Sequence, residues 1–263
     1  MHKFVKKQLN TEKLPMLEYS KIDVEDFKKY GDIGFVELSR IQKISAPKLQ
    51  QSWQMIPHVT HFDEAEISEL EEYRKKINHM YVNDEIHFTL LHFVIMVIVK
   101  ALKEYPQFNS TIIPQENKLV LKKYYNIGFA VDTKDGLTVP VLKNADKSGL
   151  KEIALALKDL SEKARKGRLT ADDISGASFT VSSLGSIGGT SFTPIINPPE
   201  VAILGISKAV YKPVWNKQEK EFEKGYILPF SLSYDHRAID GAHAARFCRY
   251  LVFLLNDLKN IIL

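Results

Sequence analysis

Hydrophobic and polar positions in the first 105 residues alternate between helical and strand-like spacing. Arg40 to Trp53 has a helical pattern that Pro57 ends, and a charged helix is predicted from about Ser68 to His79. Val59 to Ala65 alternates as a half-buried strand does. Ile86 to Tyr105 is apolar on nearly every side, which is typical of a buried helix.

The second half of the chain continues this mixture. Leu119 to Val131 has strand character, and Asp135-Gly136 then predicts a hairpin turn. Ser148 is predicted to cap a helix that ends at Gly167. Further predicted elements are a short helix with a capping box at Thr170 and Asp173, strands at 178–182, 200–208 and 226–234, and a final helix at 242–258. Helices and strands alternating throughout predict one α/β domain around a mixed sheet.

Composition narrows the class of protein. The 263 residues are 44% hydrophobic, enough for a substantial core, and the formal net charge of +4 is too small and diffuse to indicate a nucleic-acid partner. The single cysteine, Cys248, excludes an intramolecular disulfide and lies in an apolar helical pattern, where a buried, inert thiol is expected. The longest apolar stretch, Phe88 to Val99, is too short to span a bilayer. We therefore expect a cytoplasmic protein without a membrane or nucleic-acid partner.

The segment with the strongest candidate chemistry is 233–241, which has the sequence SYDHRAIDG. It places His236 after an apolar run and Asp240 four residues later. Histidine is the side chain whose unperturbed pKa lies nearest neutrality, so it suits proton removal from a thiol or hydroxyl. A surface or core contact between the two side chains is the alternative, and a second constellation is needed to choose.

A second candidate segment, FTVSSLG at 179–185, ends a predicted strand at a glycine-bearing loop. A serine hydroxyl there could donate a hydrogen bond to an oxyanion, although serine-glycine turns are also common without function. The loop matches neither a dinucleotide fingerprint nor a P-loop, and no Gly-x-Ser-x-Gly surrounds Ser182 or Ser183. Ser182 is therefore expected to stabilise charge instead of attacking the substrate.

Five segments together resemble one family. They are DHRAIDG at 235–241, FTVSSLG at 179–185, RIQKIS at 40–45, IPHVT at 56–60 and NPPEVAILG at 197–205. They resemble segments of the catalytic domain of the 2-oxoacid dehydrogenase acyltransferases, and they occur along the chain in the order that this family has. The resemblance runs from about Ile33 to Leu263. The SSLG sequence at 182–185 resembles the acetyl-transferring branch found in bacterial pyruvate dehydrogenase complexes, since the succinyl branch usually has TNGG there.

The resemblance implies transfer of an acetyl group between dihydrolipoamide and coenzyme A. His236 matches the family's general base, and Ser182 matches the hydroxyl that stabilises the oxyanion. Asp240 matches a position that is Asp or Asn in the family, so an orienting hydrogen bond is expected there and not a required charge. Coenzyme A is thus an expected substrate, the lipoyl group is expected from a lipoyl domain not present in this chain, and no metal is expected.

Coenzyme A carries phosphates, and three residues are candidates to bind it. Arg74 and Asp132 match family positions near this ligand, and Lys208 is a further candidate for the phosphates. An arginine can bond a phosphate bidentately. The alternative for Arg74 is an exposed charge on a helix.

Other residues near the motifs are given supporting roles. Arg40 is expected to have a structural role by pairing with Asp240 or its surroundings. Arg237 is expected to anchor the turn beside His236. For His58 a structural role is favoured over a catalytic one.

The resemblance also implies an assembly. The family's architecture is a homotrimer with each active site between two chains, and we expect trimers to join into a cubic core. The apolar chain end NIIL at 260–263 is expected to dock on the next trimer. Partners implied are the pyruvate decarboxylase and dihydrolipoamide dehydrogenase components and lipoyl domains. Residues 1–30 are expected to form an arm, with FVKK at 4–7 similar to the end of a subunit-binding domain, and 31–263 the catalytic core domain.

Three alternatives remain. A chloramphenicol acetyltransferase relative would share the expected α/β fold, a mixed sheet flanked by helices, and the His-x-x-x-Asp-Gly pattern, but that group usually has a second His where this chain has Asp235. A catalytically silent scaffold conflicts with intact His236 and Ser182. A metal site at His236 and Asp240 lacks a third nearby ligand.

Overall fold

The computed structural model describes residues 22–84 and 86–262, which divide into two compact units, 22–38 and 39–262. The first unit contains the short helix α1 (Glu25–Lys28). The segment FVKK at 4–7 lies outside the described residues, so its expected likeness to a subunit-binding domain stays a prediction. All candidate site residues belong to the second unit.

The second unit is built on a seven-stranded mixed sheet. Its strands are β1 (His58–Glu66), β4 (Ile127–Phe129), β7 (Val141–Leu142), β8 (Phe179–Ser183), β9 (Ala202–Ile206), β10 (Val210–Asn216) and β11 (Glu221–Asp235). The main path of the sheet runs β1-β11-β9-β8-β4-β7, and β10 pairs with the other end of β11. Strands β4, β8 and β9 are parallel to one another, and the other pairings are antiparallel.

Two small antiparallel sheets and six helices complete this unit. The small sheets pair β2 (Ser110–Ile113) with β3 (Lys118–Leu121), and β5 (Val131–Thr133) with β6 (Gly136–Thr138). The helices are α2 (Arg40–Met55), α3 (Ser68–Met80), α4 (Leu90–Glu104), α5 (Leu150–Arg165), α6 (Gly241–Asn256) and α7 (Leu258–Ile262). No helix among the described residues is both long and apolar enough to cross a membrane.

The core lies between the sheet and its helices. Helix α4 is buried along most of its length, as its apolar sequence predicts, and the rings of Phe108 and Phe247 stack with centroids 4.0 Å apart. Cys248 is buried beside them on α6, and burial raises the pKa of its thiol to about 12. The expectation of an inert, buried thiol is confirmed.

The prediction of a mixed sheet with flanking helices is confirmed, and so is the hairpin around Asp135-Gly136, which joins β5 to β6. The prediction that Ser148 caps a helix is wrong, because Gly149 occupies the N-cap of α5 and no side chain bonds there. Strand β10 was not predicted. It contains Lys212 and Pro213, and a proline is tolerated because β10 is an edge strand.

The apolar chain end contains a buried side chain. Ile261 is only 1% exposed and belongs to the core of its own chain. The expectation that the apolar segment 260–263 docks on a neighbouring trimer stays a prediction, and within one chain the Ile261 side chain is packed in the core. Leu263 lies outside the described residues.

A buried carboxyl, Glu200, links the loop before β9 to strand β8. Its Oε1 accepts a hydrogen bond from the Thr180 hydroxyl at 2.9 Å and one from the Asn197 amide at 3.3 Å. Its Oε2 has no hydrogen-bond partner among the described residues, and the same holds for the buried Lys122 ammonium. Burial raises the pKa of Glu200 to about 7, although Thr180 and the charge of Lys122 act in the opposite direction. The protonated carboxyl is thus favoured in the folded state.

We predict that Glu200 makes the folded state less stable as pH rises. The unfolded carboxyl loses its proton near its ordinary value of 4.5, whereas the folded carboxyl keeps it until about 7. The contribution of the Glu200 carboxyl to the free energy of unfolding is therefore fully present below pH 4.5 and is lost as pH rises through 7. Urea unfolding midpoints should show that Glu200→Gln gains stability relative to the parent at pH 8 and gains little at pH 5. Glu219→Gln, in an exposed turn, is the control, and an equal effect of both variants would contradict the prediction.

Candidate functional site

His236 lies immediately after the end of β11. Its backbone N–H donates a hydrogen bond to the Pro57 carbonyl at 3.1 Å, which extends the pairing of β1 with β11 by one bond. The imidazole is exposed and lies beside the ring of Tyr234, with centroids 5.9 Å apart. An exposed imidazole on a fixed backbone can accept a proton from a substrate that reaches it.

The turn around His236 is held by its neighbours. Asp235 is 1% exposed, and its carboxylate accepts hydrogen bonds from the Arg237 backbone N–H and from the Arg237 guanidinium, the shortest at 2.6 Å. This bond raises the pKa of Arg237. The prediction that Arg237 anchors the turn is confirmed.

Asp240 occupies the N-cap of α6. Its Oδ1 accepts a hydrogen bond from the His243 N–H at 2.8 Å, and this bond lowers the pKa of Asp240. Within the described residues of one chain the carboxylate makes no ion pair with Arg40, and the expected pairing of Arg40 with Asp240 or its surroundings stays a prediction. The carboxylate is oriented by the helix end, and the exposed Arg40 lies at the start of α2, which packs against β6.

Ser182 lies near the opposite end of the sheet from His236. It pairs with Gly205 of β9, which pairs in turn with Ser231 of β11, five residues before His236. Neighbouring strands lie about 4.8 Å apart and a strand rises about 3.3 Å per residue, so the two side chains are roughly 20 Å apart. A general base must lie within hydrogen-bond reach of its proton donor. One chain alone therefore does not bring Ser182 and His236 to the same substrate atom.

A cavity of about 860 Å³ opens at the end of the sheet where β8 and β9 terminate. Arg74, Asp132 and Lys208 all line it, so the structure brings together the three residues predicted to bind coenzyme A. Ser183 also lines it, whereas Ser182 does not, as expected from the alternation of side chains along a strand. His236 and Asp240 are not part of this cavity.

Arg74 is held by a buried partner within the cavity wall. Its Nε and Nη2 donate to the two carboxylate oxygens of Glu71 at 2.7 and 2.8 Å, and its Nη1 donates to the Phe88 carbonyl at 3.0 Å. The Glu71 side chain is 9% exposed and that of Arg74 19%. The guanidinium holds the pKa of Glu71 below its ordinary value despite burial. The alternative, that Arg74 is an exposed charge on a helix, is wrong because its side chain is mostly buried and is oriented by Glu71. The three bonds use three of its five N–H groups, so two N–H groups lie outside them.

Three further residues of the cavity were missed at the sequence level. Glu71 could have been found from its i,i+3 spacing to Arg74, which places both side chains on one helix face. Arg165, in the last turn of α5, adds a positive charge to the wall. Ser207 carried no signal, yet its buried hydroxyl lines the cavity without a hydrogen-bond partner among the described residues.

His58 has both ring nitrogens engaged by its own chain. Nδ1 lies 2.9 Å from the Ile56 carbonyl, and Nε2 accepts a hydrogen bond from the Ile196 N–H at 3.0 Å. This arrangement bears out the structural role favoured for His58. The described residues contain no group of three His, Cys, Asp or Glu side chains that could hold a metal ion.

Comparison with known proteins places this geometry in a family. Residues 31–263 match the family described as 2-oxoacid dehydrogenases acyltransferase (catalytic domain). The chain is 51% identical over 252 residues to the dihydrolipoyllysine-residue acetyltransferase component of the pyruvate dehydrogenase complex of Haemophilus influenzae, covering 95% of this chain and 44% of that protein. The component of the same name from Cupriavidus necator is 50% identical, over 90% of this chain and 42% of that protein. The chain thus spans less than half the length of these curated relatives.

Solved structures agree with this assignment. Azotobacter vinelandii dihydrolipoamide acetyltransferase, in an investigation of a serine, a histidine and an asparagine in its catalytic mechanism, has a TM-score of 0.89 and 48% identity, covering 93% of this chain and 100% of that chain. The cubic core of a pyruvate dehydrogenase multienzyme complex gives the same values. A chloramphenicol acetyltransferase has a TM-score of 0.54 at 17% identity over 80% of this chain and 94% of that chain, which shows a shared fold and confirms the fold predicted from the sequence. The chain belongs to the 2-oxoacid dehydrogenase acyltransferase family.

Proposed function

We propose that this chain transfers an acetyl group between dihydrolipoamide and coenzyme A as the core of a pyruvate dehydrogenase complex. The observation that carries the proposal is the conjunction of an exposed imidazole at the end of β11 with a cavity lined by Arg74 and Lys208 at the opposite end of the same sheet. The relatives named above, at about half identity, are acetyltransferase components of such complexes. The cytoplasm, as expected from the single cysteine, is the proposed location.

His236 is proposed as the general base. A free thiol has a pKa near 8.5 and is mostly protonated at neutral pH, so local removal of its proton produces a far stronger nucleophile. The thiolate of coenzyme A or dihydrolipoamide attacks the thioester carbon, the proton moves to the imidazole, and a tetrahedral oxyanion forms. Collapse of that oxyanion expels the other thiolate, which takes the proton back from the imidazolium. The acetyl group has then moved from one sulfur to the other.

Ser182 is proposed to donate a hydrogen bond to the oxyanion from a neighbouring chain. Within one chain it lies roughly 20 Å from His236, too far to act on the same carbon. In the Azotobacter vinelandii enzyme, the asparagine investigated follows the histidine by four positions, as Asp240 follows His236 here. An Asn at that position can accept the same backbone hydrogen bond, so the proposed role of Asp240 is to orient the turn without needing its charge.

The exposed apolar side chains of helix α2 support an association of copies. Helix α2, every residue of which is described, buries only Ser52 against its own chain. Four of its large apolar side chains remain 47% to 62% exposed, namely Ile44, Leu49, Trp53 and Met55. A helix of this length gains most of its stability from packing an apolar face, so a second copy is the proposed neighbour. A homotrimer assembling into a cubic core is proposed on this basis and on the likeness to a solved cubic core.

Arg74, Asp132 and Lys208 are proposed to bind coenzyme A in the cavity of about 860 Å³. Arg74 is pre-oriented by Glu71, and its two N–H groups outside the bonds described above can form charge-assisted bonds to a phosphate. Lys208 and Arg165 add positive charge on the same wall. The lipoyl group is proposed to arrive on a lipoyl domain, and the decarboxylase and dihydrolipoamide dehydrogenase components are the proposed partners.

We predict that the active site is shared between two chains, which co-expression of two inactive variants tests. His236→Ala should lower turnover about 10²- to 10⁴-fold and Ser182→Ala about 10²- to 10³-fold, because each removes one group of the same site. In randomly mixed trimers, about one site in four combines an intact histidine with an intact serine. Acetyl transfer should therefore return to about a quarter of the parent rate.

Each variant assembled with itself is the control for this experiment. Mixed particles no more active than the controls would contradict a shared site. Unchanged acetyl transfer in His236→Ala particles would instead favour a catalytically silent scaffold.

We predict that Asp240 acts through its hydrogen bond and not through its charge. Asp240→Asn keeps an oxygen that accepts the His243 N–H, whereas Asp240→Ala removes it. Calorimetry should show a lower thermal midpoint for the alanine variant only, and turnover of the asparagine variant should exceed that of the alanine variant about tenfold. Equal turnover in the two variants would contradict the orienting role.

We predict a preference for the acetyl group. Acetyl-, succinyl- and branched-chain acyl-coenzyme A should be compared as donors to dihydrolipoamide, with kcat/KM measured for each. The acetyl donor should give the highest value, as expected from the relatives named above. Higher kcat/KM with the succinyl donor would overturn the acetyl assignment.

A further inference from the structure

His58 is connected to the backbone on both sides of its ring. Nδ1 lies 2.9 Å from the Ile56 carbonyl oxygen, and the Ile196 N–H points at Nε2 from 3.0 Å. A carbonyl only accepts and a backbone N–H only donates, so the ring must be neutral with its proton on Nδ1. Both nitrogens are thereby used, which removes His58 as a proton acceptor for a substrate.

The Ile196 peptide that His58 binds is itself fixed. The Ser52 hydroxyl donates to the Ile196 carbonyl at 2.6 Å, so the residue is held at both its N–H and its carbonyl. Its side chain is 1% exposed in a small apolar cluster with Ile56 and Ile203. The ring of Trp53 stacks on His58 with centroids 5.5 Å apart. His58 is therefore bonded to a rigid part of the fold.

The residue between Ile56 and His58 carries this rigidity to His236. Pro57 lacks an N–H, and its carbonyl accepts the backbone N–H of His236 at 3.1 Å. The imidazole of His236 has no hydrogen bond from the described residues and makes only a ring contact with Tyr234 at 5.9 Å. The direction of this imidazole consequently depends on its backbone, and the backbone N–H of His236 is bonded to Pro57.

We propose that His58 is a positioning residue for acetyl transfer, acting through Pro57 on His236. This inference rests on the proposed function, because it assigns His58 a purpose only if His236 is the base. The hydrogen bond from the Ile196 N–H to Nε2 of His58 anchors the segment 56–58 to the loop 196–201. The bond from Nδ1 to the Ile56 carbonyl stays within the segment 56–58. Loss of the anchor lets the Pro57 carbonyl shift, and His236 shifts with it. A misplacement of about 1 Å at the reacting groups can cost 10²-fold in rate.

Two amide variants separate the two ring nitrogens. In His58→Gln the side-chain oxygen can reach the position of Nε2 and accept the Ile196 N–H, so the anchor is kept. In His58→Asn the shorter amide reaches only the position of Nδ1, so the anchor is lost. In assembled particles, His58→Asn should lower kcat about 10- to 100-fold with little change in the KM for coenzyme A, and His58→Gln should recover most of the loss.

His79→Asn is the control, since it makes the same substitution at an exposed histidine in the last turn of α3. It should keep kcat near that of the parent. Equal kcat in His58→Gln and His58→Asn, at any level, overturns the inference. If His58→Asn does not fold, Ser52→Ala takes its place, with Ser45→Ala on the same helix as control, and equal kcat in these two overturns the inference.

Measurement of His236→Ala in the same assay keeps the inference separate from the proposed function. Unchanged turnover in His236→Ala contradicts the proposed function itself. Lost turnover in His236→Ala together with parental kcat in His58→Asn contradicts only the positioning role of His58.

Discussion

The register of strand β11 is the constraint on which the rest of the structure depends. This strand of 15 residues is bonded along its length to β1, β9 and β10, so its residues cannot slide without breaking three sets of backbone bonds. A slip of one residue would also exchange the side chains that pack on the two faces of the sheet, and residues 227–235 are buried on both faces. His236 directly follows the last residue of this strand, so the register of β11 also fixes the position of His236 relative to the neighbouring strands. Ser182, paired through Gly205 to the middle of β11, is fixed in the same frame.

At the His236 end of the sheet, the loop 196–201 joins three elements by polar bonds. Its first residue, Ile196, binds His58 at the start of β1. Glu200 binds Thr180 on β8, and the Val201 carbonyl accepts the backbone N–H of Asp235 on β11. Because most of these bonds lie away from water, breaking one leaves a buried polar group without a partner, at a typical cost of about 1–3 kcal/mol. A loop held in this way is a rigid support for the exposed imidazole of His236.

The opposite end of the sheet is organised by charge. Glu71 fixes Arg74 in the cavity wall with two hydrogen bonds, so the guanidinium is oriented before any ligand arrives. A side chain held in place loses less conformational entropy on binding than a mobile one. The two ends thus differ in chemistry: one presents an exposed imidazole, and the other presents a guanidinium oriented by Glu71. Such a division suits a reaction between a thiol and a large anionic carrier.

Much of the local structure was predictable from short segments. The buried helix α4, the hairpin at Asp135-Gly136 and the residues of the two motifs follow from periodicity, turn chemistry and resemblance. Strand β10 was missed because Lys212 and Pro213 break the expected pattern, and only pairing with β11 makes this segment a strand. The N-cap at Gly149 likewise depends on backbone geometry that no side-chain pattern encodes.

The sequence by itself determined which chemical groups this protein has: the imidazole of His236, the hydroxyl of Ser182, the carboxylate of Asp240 and the cations suited to phosphate. Tertiary structure alone decided how those groups are distributed. It set Arg74, Asp132 and Lys208 around one cavity and kept Ser182 and His236 at opposite ends of the sheet. It also placed both ring nitrogens of His58 against backbone groups of its own chain, in line with the structural role favoured from the sequence. The physical reason is that strand register and long-range hydrogen bonds join residues far apart in sequence, and these pairings are set by the packing of the whole chain.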